Sequence, residues 1–381
     1  MNTVVPPLLQ RGDVVAIVAT ARYVTKEQTA PFIHVLEQEW GLKVKLPAHL
    51  YDRREVGGKV TSQFGCDDEL RAEMLQQQLD DPEVKAIFCA RGGYGTVRIV
   101  DRIDWSRFRQ QPKWIVGYSD VTVLHSHIQR NLGIATLHAT MPINVAVRWG
   151  GDHRHIDFSD YFSLQSLYYS LFVGRFAYDL GTCVPEGSAD PSISLSDHVH
   201  TVYSPKGAKK RRREVGQPYS AYNREGDVTA PVVGGNLSVL CSLMGSASEP
   251  DTDGKVLMIE DLDEYEYHLD RMLMCLRRAG KFDNLAALMV GQFTDIHDND
   301  VPFGSLKWDM IYNIFSGYDY PAIFFCPFGH IGMDNGALPL GVEARLSIRN
   351  VKATTSARLS FDYSEGQESS ELLLRRKRLM W

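Results

Sequence analysis

The sequence predicts an α/β protein: a flavodoxin-like parallel sheet flanked by helices in the N-terminal half, then a C-terminal domain of mixed strands and helices. Three observations predict it. Strand and helix signals alternate from Val14 to Gly133, the order expected of a parallel sheet with helices on both faces. The apolar runs are short and end in glycine-rich or small-residue turns, Arg91-Gly-Gly-Tyr-Gly95 and Gly117-Tyr-Ser-Asp120 among them. And 381 residues exceed what one hydrophobic core usually holds, so two domains are expected, divided as 1–174 and 175–381.

Val14–Ala19 is apolar and β-branched, a first buried strand. Lys26–Glu39 reads as a helix, Lys43–Leu46 as a strand, Asp67–Leu79 as an amphipathic helix and Ala86–Cys89 as a buried strand. Val97–Val100 open a further helix. Lys113 to Val116 form the next strand, Gly117 allows a tight turn, and Val121–Leu132 is a helix stopped by Gly133. In such a sheet ligands bind at the carboxyl ends of strands, where Arg91–Gly95 and Gly117–Asp120 both fall. Phe158–Phe172 is a helix rich in Tyr, Leu and Ser, and an irregular insertion follows at about 185–227. Order returns with Val232-Val233, Gly234-Gly-Asn-Leu237 and a helix Ser238–Met244. Val256–Ile259 is a strand ending in Glu260-Asp261. Leu269, Met272, Leu273 and Leu276 keep helical spacing up to Gly280. Leu285–Val290 and Ala322–Cys326 are strands, and the second delivers Pro327-Phe328-Gly329-His330. From Ser364 the tail is charged, with Leu372-Leu373-Leu374 as one helical turn.

Composition narrows the partners. A net charge of −6 opposes general nucleic-acid binding, and the basic run 209–213 reads as a solvated loop, with a phosphate contact as the sharper alternative. Six cysteines at 66, 89, 183, 241, 275 and 326 include no Cys-x-x-Cys pair, which suits reduced thiols and a cytoplasmic protein. Val14–Ala21 ends in Ala-Thr-Ala like a signal-peptide cleavage site, but Asp13 borders it and the apolar run is short. No segment approaches the roughly 20 apolar residues of a membrane span. Asp295, His297, Asp298 and Asp300 match no calcium-loop spacing and read as a solvated acidic loop. His125 and His127 share a helix but cannot face one direction, and His153 and His155 have no nearby third ligand. The turn Gly92–Gly95 lacks the Lys-Ser/Thr of a phosphate loop. No metal or cofactor is expected.

The stretch at Ser119 puts a hydroxyl on a strand-to-helix turn, as in a nucleophile elbow, although Gly-x-Ser-x-Gly would place a glycine where Val121 stands. That stretch alone leaves a nucleophile and a helix cap, at Ser119 or Asp120, equally open. A serine nucleophile needs a base held in the right tautomer by an acid. His330, in a turn after an apolar strand, and Glu260, at the end of another, qualify; Asp261, Asp263 and Glu264 compete with Glu260. Arg91 either meets a substrate carboxylate or pairs with a neighbouring acid.

Five ordered blocks then carry a resemblance: Arg91-Gly-Gly-Tyr-Gly95 with Arg98 and Asp104; Gly117-Tyr-Ser-Asp120 with Thr122; Gly234-Gly-Asn-Leu237; Ile259-Glu-Asp261 with Asp270-Arg-Met-Leu273; and Gly329-His330 with Leu338-Pro-Leu-Gly341. Together they resemble the LD-carboxypeptidase family of serine peptidases, which includes muramoyl-tetrapeptide carboxypeptidases and microcin-C-immunity peptidases, over roughly 6–150 and 230–348. The resemblance implies Ser119 as nucleophile, His330 as general base and later acid, Glu260 as its orienting partner, and an oxyanion hole from the backbone N–H groups of Gly93 and Asp120. Arg91 and Tyr94, on the glycine turn, are the candidate substrate-binding residues. The resemblance implies a homodimer acting on a muropeptide-like peptide, releasing D-alanine from murein tetrapeptide in cytoplasmic wall recycling. Three departures bear on the pocket: Ala19-Thr-Ala-Arg22 stands where relatives have Pro-Ser-Ser, His138-Ala-Thr-Met-Pro142 replaces a His-Gly-Pro-like turn, and the 185–227 connection is longer. A rival substrate class is a peptidyl- or aminoacyl-nucleotide, its base stacked by Tyr203, Tyr219 and Tyr222. A rival of another kind is a non-enzymatic ligand-binding protein on the same scaffold.

Overall fold

The first strand, β1 (Val14–Val18), is a continuous apolar run because both of its faces are covered. It pairs in parallel with β2 (Lys43–Lys45) on one side and β5 (Val84–Cys89) on the other. The computed structural model describes residues 3–145, 161–180, 219–351 and 354–364. The basic run 209–213, Cys183, His153, His155, Tyr203, Leu372–Leu374 and most of the 185–227 insertion lie outside the described residues.

Between β1 and β2, α1 (Lys26–His34) starts at Thr25, whose hydroxyl accepts the Gln28 N–H while the Gln28 side chain accepts the Thr25 N–H. This reciprocal cap supplies a clear start. The helix does not run on unchanged to Glu39 as expected: Val35–Glu39 is a π-helical turn in which the Trp40 N–H reaches the Val35 carbonyl at 3.0 Å. A small hairpin, β3 (Glu55–Val56) and β4 (Lys59–Val60), precedes α2 (Asp68–Asp80), which Asp67 caps through the Leu70 N–H. After β5 the expected helix at Val97–Val100 is instead two 3₁₀ turns, Thr96–Arg98 and Val100–Arg102. The short α3 (Ser106–Gln110), β6 (Trp114–Gly117), α4 (Thr122–Leu132) and β7 (Thr136–His138) follow, with Gly133 left-handed at the end of α4. Then comes α5 (Phe162–Phe172), and β13 (Leu338–Leu340) returns late in the chain to pair antiparallel with β7. The order β2-β1-β5-β6-β7-β13 is that of a flavodoxin-like sheet with one added edge. Successive strands are added to one side of β1 at β2 and to its other side from β5 onward, so the topological switch point lies between the loops that follow β1 and β5.

A second compact unit comprises Ala177–Asn335 and Val342–Phe361. Its sheet has a parallel centre of β9 (Gly226–Asn236), β10 (Val256–Leu262), β11 (Ala287–Thr294) and β12 (Ala322–Ile323). Antiparallel β14 (Glu343–Val351) and β15 (Thr354–Asp362) extend it beyond β9, with β8 (Arg175–Asp179) as the edge next to β15. The helices α6 (Leu237–Ser242), α7 (Glu266–Arg278) and α8 (Lys307–Phe315) contribute Leu240, Leu269, Leu273, Trp308 and Ile311 to a core with Ile259, Val290 and Phe324.

Four sequence expectations change here. The β14–β15 hairpin was not anticipated. β10 continues to Leu262, so Glu260 lies within the strand. The strand at 322 pairs only over Ala322–Ile323, because Phe325 turns left-handed at φ 64° and breaks the extended chain. Tyr222 is not available to stack a base: it is fully buried among Tyr312, Phe324 and Phe325, and its hydroxyl donates to Asp309 at 2.5 Å.

Candidate active site

In the first unit, Ser119 follows β6 on a short 3₁₀ turn and sits at φ 63°, in the left-handed region that a non-glycine residue occupies only when its surroundings enforce it. Three features enforce it. A Cβ on Gly117 would lie 2.8 Å from Val121 Cγ2, so Val121 packs directly on the small residue and the motif tolerates valine where the usual elbow has glycine. The Gly117 carbonyl accepts both the Ala139 N–H at 3.1 Å and the His125 ring at 2.9 Å, through Nε2. The buried Asp120 carboxylate accepts the Thr96 N–H at 2.9 Å. Neither Ser119 nor Asp120 caps α4, whose start carries no side-chain cap.

The Asp120–Thr96 bond ties two loops together, the Ser119 turn and the glycine turn after β5. Gly92 lies against the serine, a Cβ there falling 3.2 Å from Ser119 Oγ. The fully buried guanidinium of Arg71 fixes the far end of the glycine turn by donating to the Gly95 carbonyl at 3.1 Å and to the Thr20 carbonyl, with Asp68 at 2.5 Å. Arg91 is half-buried and Tyr94 is exposed on this turn. Burial holds the Asp120 carboxyl above its ordinary range.

In the second unit, Glu260 is fully buried in β10 and its Oε2 lies 2.8 Å from His330 Nδ1. Of the two acids at the end of this strand, Glu260 and not Asp261 meets the histidine. The strand pairing explains how a carboxylate comes to be buried there. The register of β10 against β11 shifts between Ile259 and Asp261, a bulge at Gly291–Gln292 of the kind that re-aims side chains beside functional sites. The His330 turn is held on several sides: Gln292 donates its backbone N–H to the Phe328 carbonyl at 2.9 Å and its amide to the Phe325 carbonyl at 2.9 Å. The Gly329 N–H donates to Asn335 Oδ1 at 2.9 Å.

Charge then sets the histidine's basicity. Burial works against the imidazolium, but the charge and hydrogen bond of Glu260, with the charge of Asp261, outweigh it and raise His330 above its ordinary pKa. Asp261 is itself pushed up to about 7, by burial first and the Glu260 charge second. It accepts from Asn236 Nδ2 at 2.8 Å and from the Ser238 and Leu262 N–H groups at 2.9 Å. Asn236 comes from the Gly-Gly-Asn-Leu block, so this network accounts for one motif whose role the sequence left open. His125 and His127 are both buried, His125 pushed down to about 3 by burial. His297 pairs with Asp263 at 2.7 Å and Asp298 accepts backbone N–H groups. Among the described residues no group of three or more His, Cys, Asp or Glu is placed to hold a metal ion.

A family model for the LD-carboxypeptidase N-terminal domain matches residues 15–139, and one for the LD-carboxypeptidase C-terminal domain matches 229–346. The chain belongs to the LD-carboxypeptidase family. It is accordingly a serine-type carboxypeptidase. One LD-carboxypeptidase relative, the probable murein peptide carboxypeptidase of Bacillus subtilis (strain 168), is 32% identical over 93% of this chain and 95% of its own length. The microcin C7 self-immunity protein MccF of Escherichia coli is 25% identical over 74% of this chain and 76% of its own. The crystal structure of muramoyltetrapeptide carboxypeptidase from Oxalobacter formigenes shares the fold, with a TM-score of 0.68 at 24% identity over 92% of this chain and 98% of that one.

Proposed function

We propose that this LD-carboxypeptidase hydrolyses the amide between an L-configured centre and a terminal D-amino acid, releasing D-alanine from murein tetrapeptide. Ser119 Oγ attacks the scissile carbonyl carbon as His330 Nε2 takes its proton. Glu260, on Nδ1, holds the ring orientation and stabilises the imidazolium. The Gly93 and Asp120 N–H groups receive the oxyanion. Collapse expels the D-amino acid, protonated by His330, and leaves an acyl-enzyme that water hydrolyses with the same base. The observation that carries this reading is the buried Glu260–His330 hydrogen bond at 2.8 Å, in a chain whose left-handed Ser119 lies on a strand-to-helix turn.

The reading places the enzyme in the cytoplasm as a homodimer in wall recycling. Five described cysteines without a disulfide support a reducing compartment, and among the described residues no helix is long and apolar enough to cross a membrane. Light scattering tests the dimer. A second reading keeps the chemistry and takes an aminoacyl-nucleotide instead, favoured by the likeness to the self-immunity protein. Incubation with murein tetrapeptide, following free D-alanine, beside an aminoacyl-sulfamoyl adenosine, separates the two. D-Alanine release supports the first reading; cleavage of the adenosine conjugate alone supports the second; neither, with ligand still bound, supports a binding protein.

A further inference from the structure

The loops at the switch point of the first sheet carry two guanidiniums. Arg22 follows β1 and Arg91 follows β5, the neighbouring parallel strands between which the order of strand addition reverses. The Arg22 side chain lies across the glycine turn: a Cβ on Gly93 would fall 2.6 Å from Arg22 Cδ and 2.7 Å from its Nε. Its loop is fixed there by backbone pairing with Gln63–Phe64 and by the 3.2 Å bond from Arg22 Nε to Gln63 Oε1. Among the described residues Arg91 Nη1 reaches only the Tyr23 carbonyl, at 3.5 Å. Among the described residues neither cation has an ion pair, whereas the nearby Arg71, Arg98 and Arg102 are each matched to a carboxylate. Burial and then the charge of Arg22 lower the basicity of Arg91, as expected of two cations held close without an anion between them.

Two like charges beside a backbone turn are costly to hold together unless an anion joins them. The same turn touches Ser119 through Gly92 and carries the Gly93 N–H. We propose that Arg22 and Arg91 form a clamp for the free α-carboxylate of the residue that leaves, which makes the enzyme a carboxypeptidase rather than an endopeptidase. The α-carboxylate of a terminal residue is separated from the scissile carbonyl carbon only by the amide nitrogen and one carbon, so its site must lie beside the nucleophile. Guanidinium is suited to it by planar, charge-assisted pairing. The clamp rests on the hydrolase reading above and concerns only the leaving side of that site.

The test compares murein tetrapeptide with the same peptide ended by a carboxamide. Wild-type enzyme should prefer the free acid by at least about 100-fold in kcat/KM, and Arg22→Gln or Arg91→Gln should each lower that preference by about tenfold, the loss typical of one charge-assisted hydrogen bond. Arg22→Lys should restore part of it. Equal hydrolysis of acid and amide by the wild type overturns the clamp while leaving the hydrolase reading intact, and so does an unchanged preference in both Gln variants. If the wild type turns over neither peptide, the hydrolase reading falls, and equilibrium binding to the wild type decides the clamp: preferential, Arg22-dependent binding of the acid upholds it, and equal or no binding overturns it.

Discussion

Gly329→Ala perturbs the acid–histidine pair while leaving both residues of the pair unsubstituted. Gly329 sits at φ 117°, a conformation that an L side chain adopts only under strain, costing about 1–3 kcal/mol. The added Cβ would fall 2.8 Å from Glu260 Oε2, the oxygen bonded to His330, and 2.9 Å from Glu260 Cβ. Ordinary contact begins at 3.4 Å, so the pair must open by about 0.6 Å. Glu260 has little room to retreat, because it is fully buried and Gly291 packs on its other side, with a Cβ there falling only 3.1 Å from Glu260 Cβ. The His330 turn must therefore shift, and misplacement approaching an ångström costs on the order of 10²-fold in rate. The assay is steady-state release of D-alanine, with kcat normalised to folded enzyme. Gly317→Ala, which meets nothing within 4 Å, is the control and should leave kcat unchanged. A folded Gly329→Ala enzyme with kcat within threefold of wild type would refute the claim that Glu260 orients the histidine.

Glu260→Gln should act on rate and pH profile together. Activity requires neutral imidazole, so kcat/KM rises with pH through the His330 pKa, which Glu260 raises; removing that charge moves the acid limb to lower pH and lowers the plateau by about 10³–10⁴-fold. An acid limb left in place contradicts it. Asp261→Asn should change how stability depends on pH. The folded Asp261 holds its proton up to about pH 7 against an ordinary value of 3.8, so the folded state binds more protons across that window. Wild-type stability therefore falls there by about 1.4 kcal/mol per pH unit relative to the variant, and levels off above it. Urea midpoints of both proteins at pH 4.5 and pH 7 measure the difference, and parallel pH dependence contradicts it.

The sequence made much of the first unit legible because its signals are local. Thr25, Asp67 and Gly133 mark helix ends by caps or a left-handed stop, and the apolar run of β1 has no polar face to confuse its period. The π-helical turn at Val35–Glu39 left no such mark, since its bonding follows from packing and not from residue type. The β14–β15 hairpin is a different case. Ala344, Leu346 and Ile348 alternate with Arg345, Ser347 and Arg349, and Ala357, Leu359 and Phe361 with Ser356, Arg358 and Ser360, so its period-two pattern was present in the residues. At the site, the block order picked out Glu260 and His330, which the structure brings to hydrogen-bond distance. Asp120 and Asp261 stand inside the motif blocks, but the bonds they make, Asp120 to the Thr96 N–H and Asp261 to Asn236, were not legible, and neither was the place of the Arg22 side chain across the glycine turn, because each depends on a partner far away in sequence.

The central claim is that one hydroxyl becomes reactive through a paired histidine, and it is tested most directly by D-alanine release from murein tetrapeptide by Ser119→Ala, His330→Ala and the double variant, each checked for folding by circular dichroism. The account predicts that each single change lowers kcat by at least about 10³-fold and that the double variant is scarcely slower than either, because the two groups act as a unit. Near-normal turnover by folded Ser119→Ala, or losses that multiply in the double variant, would contradict it.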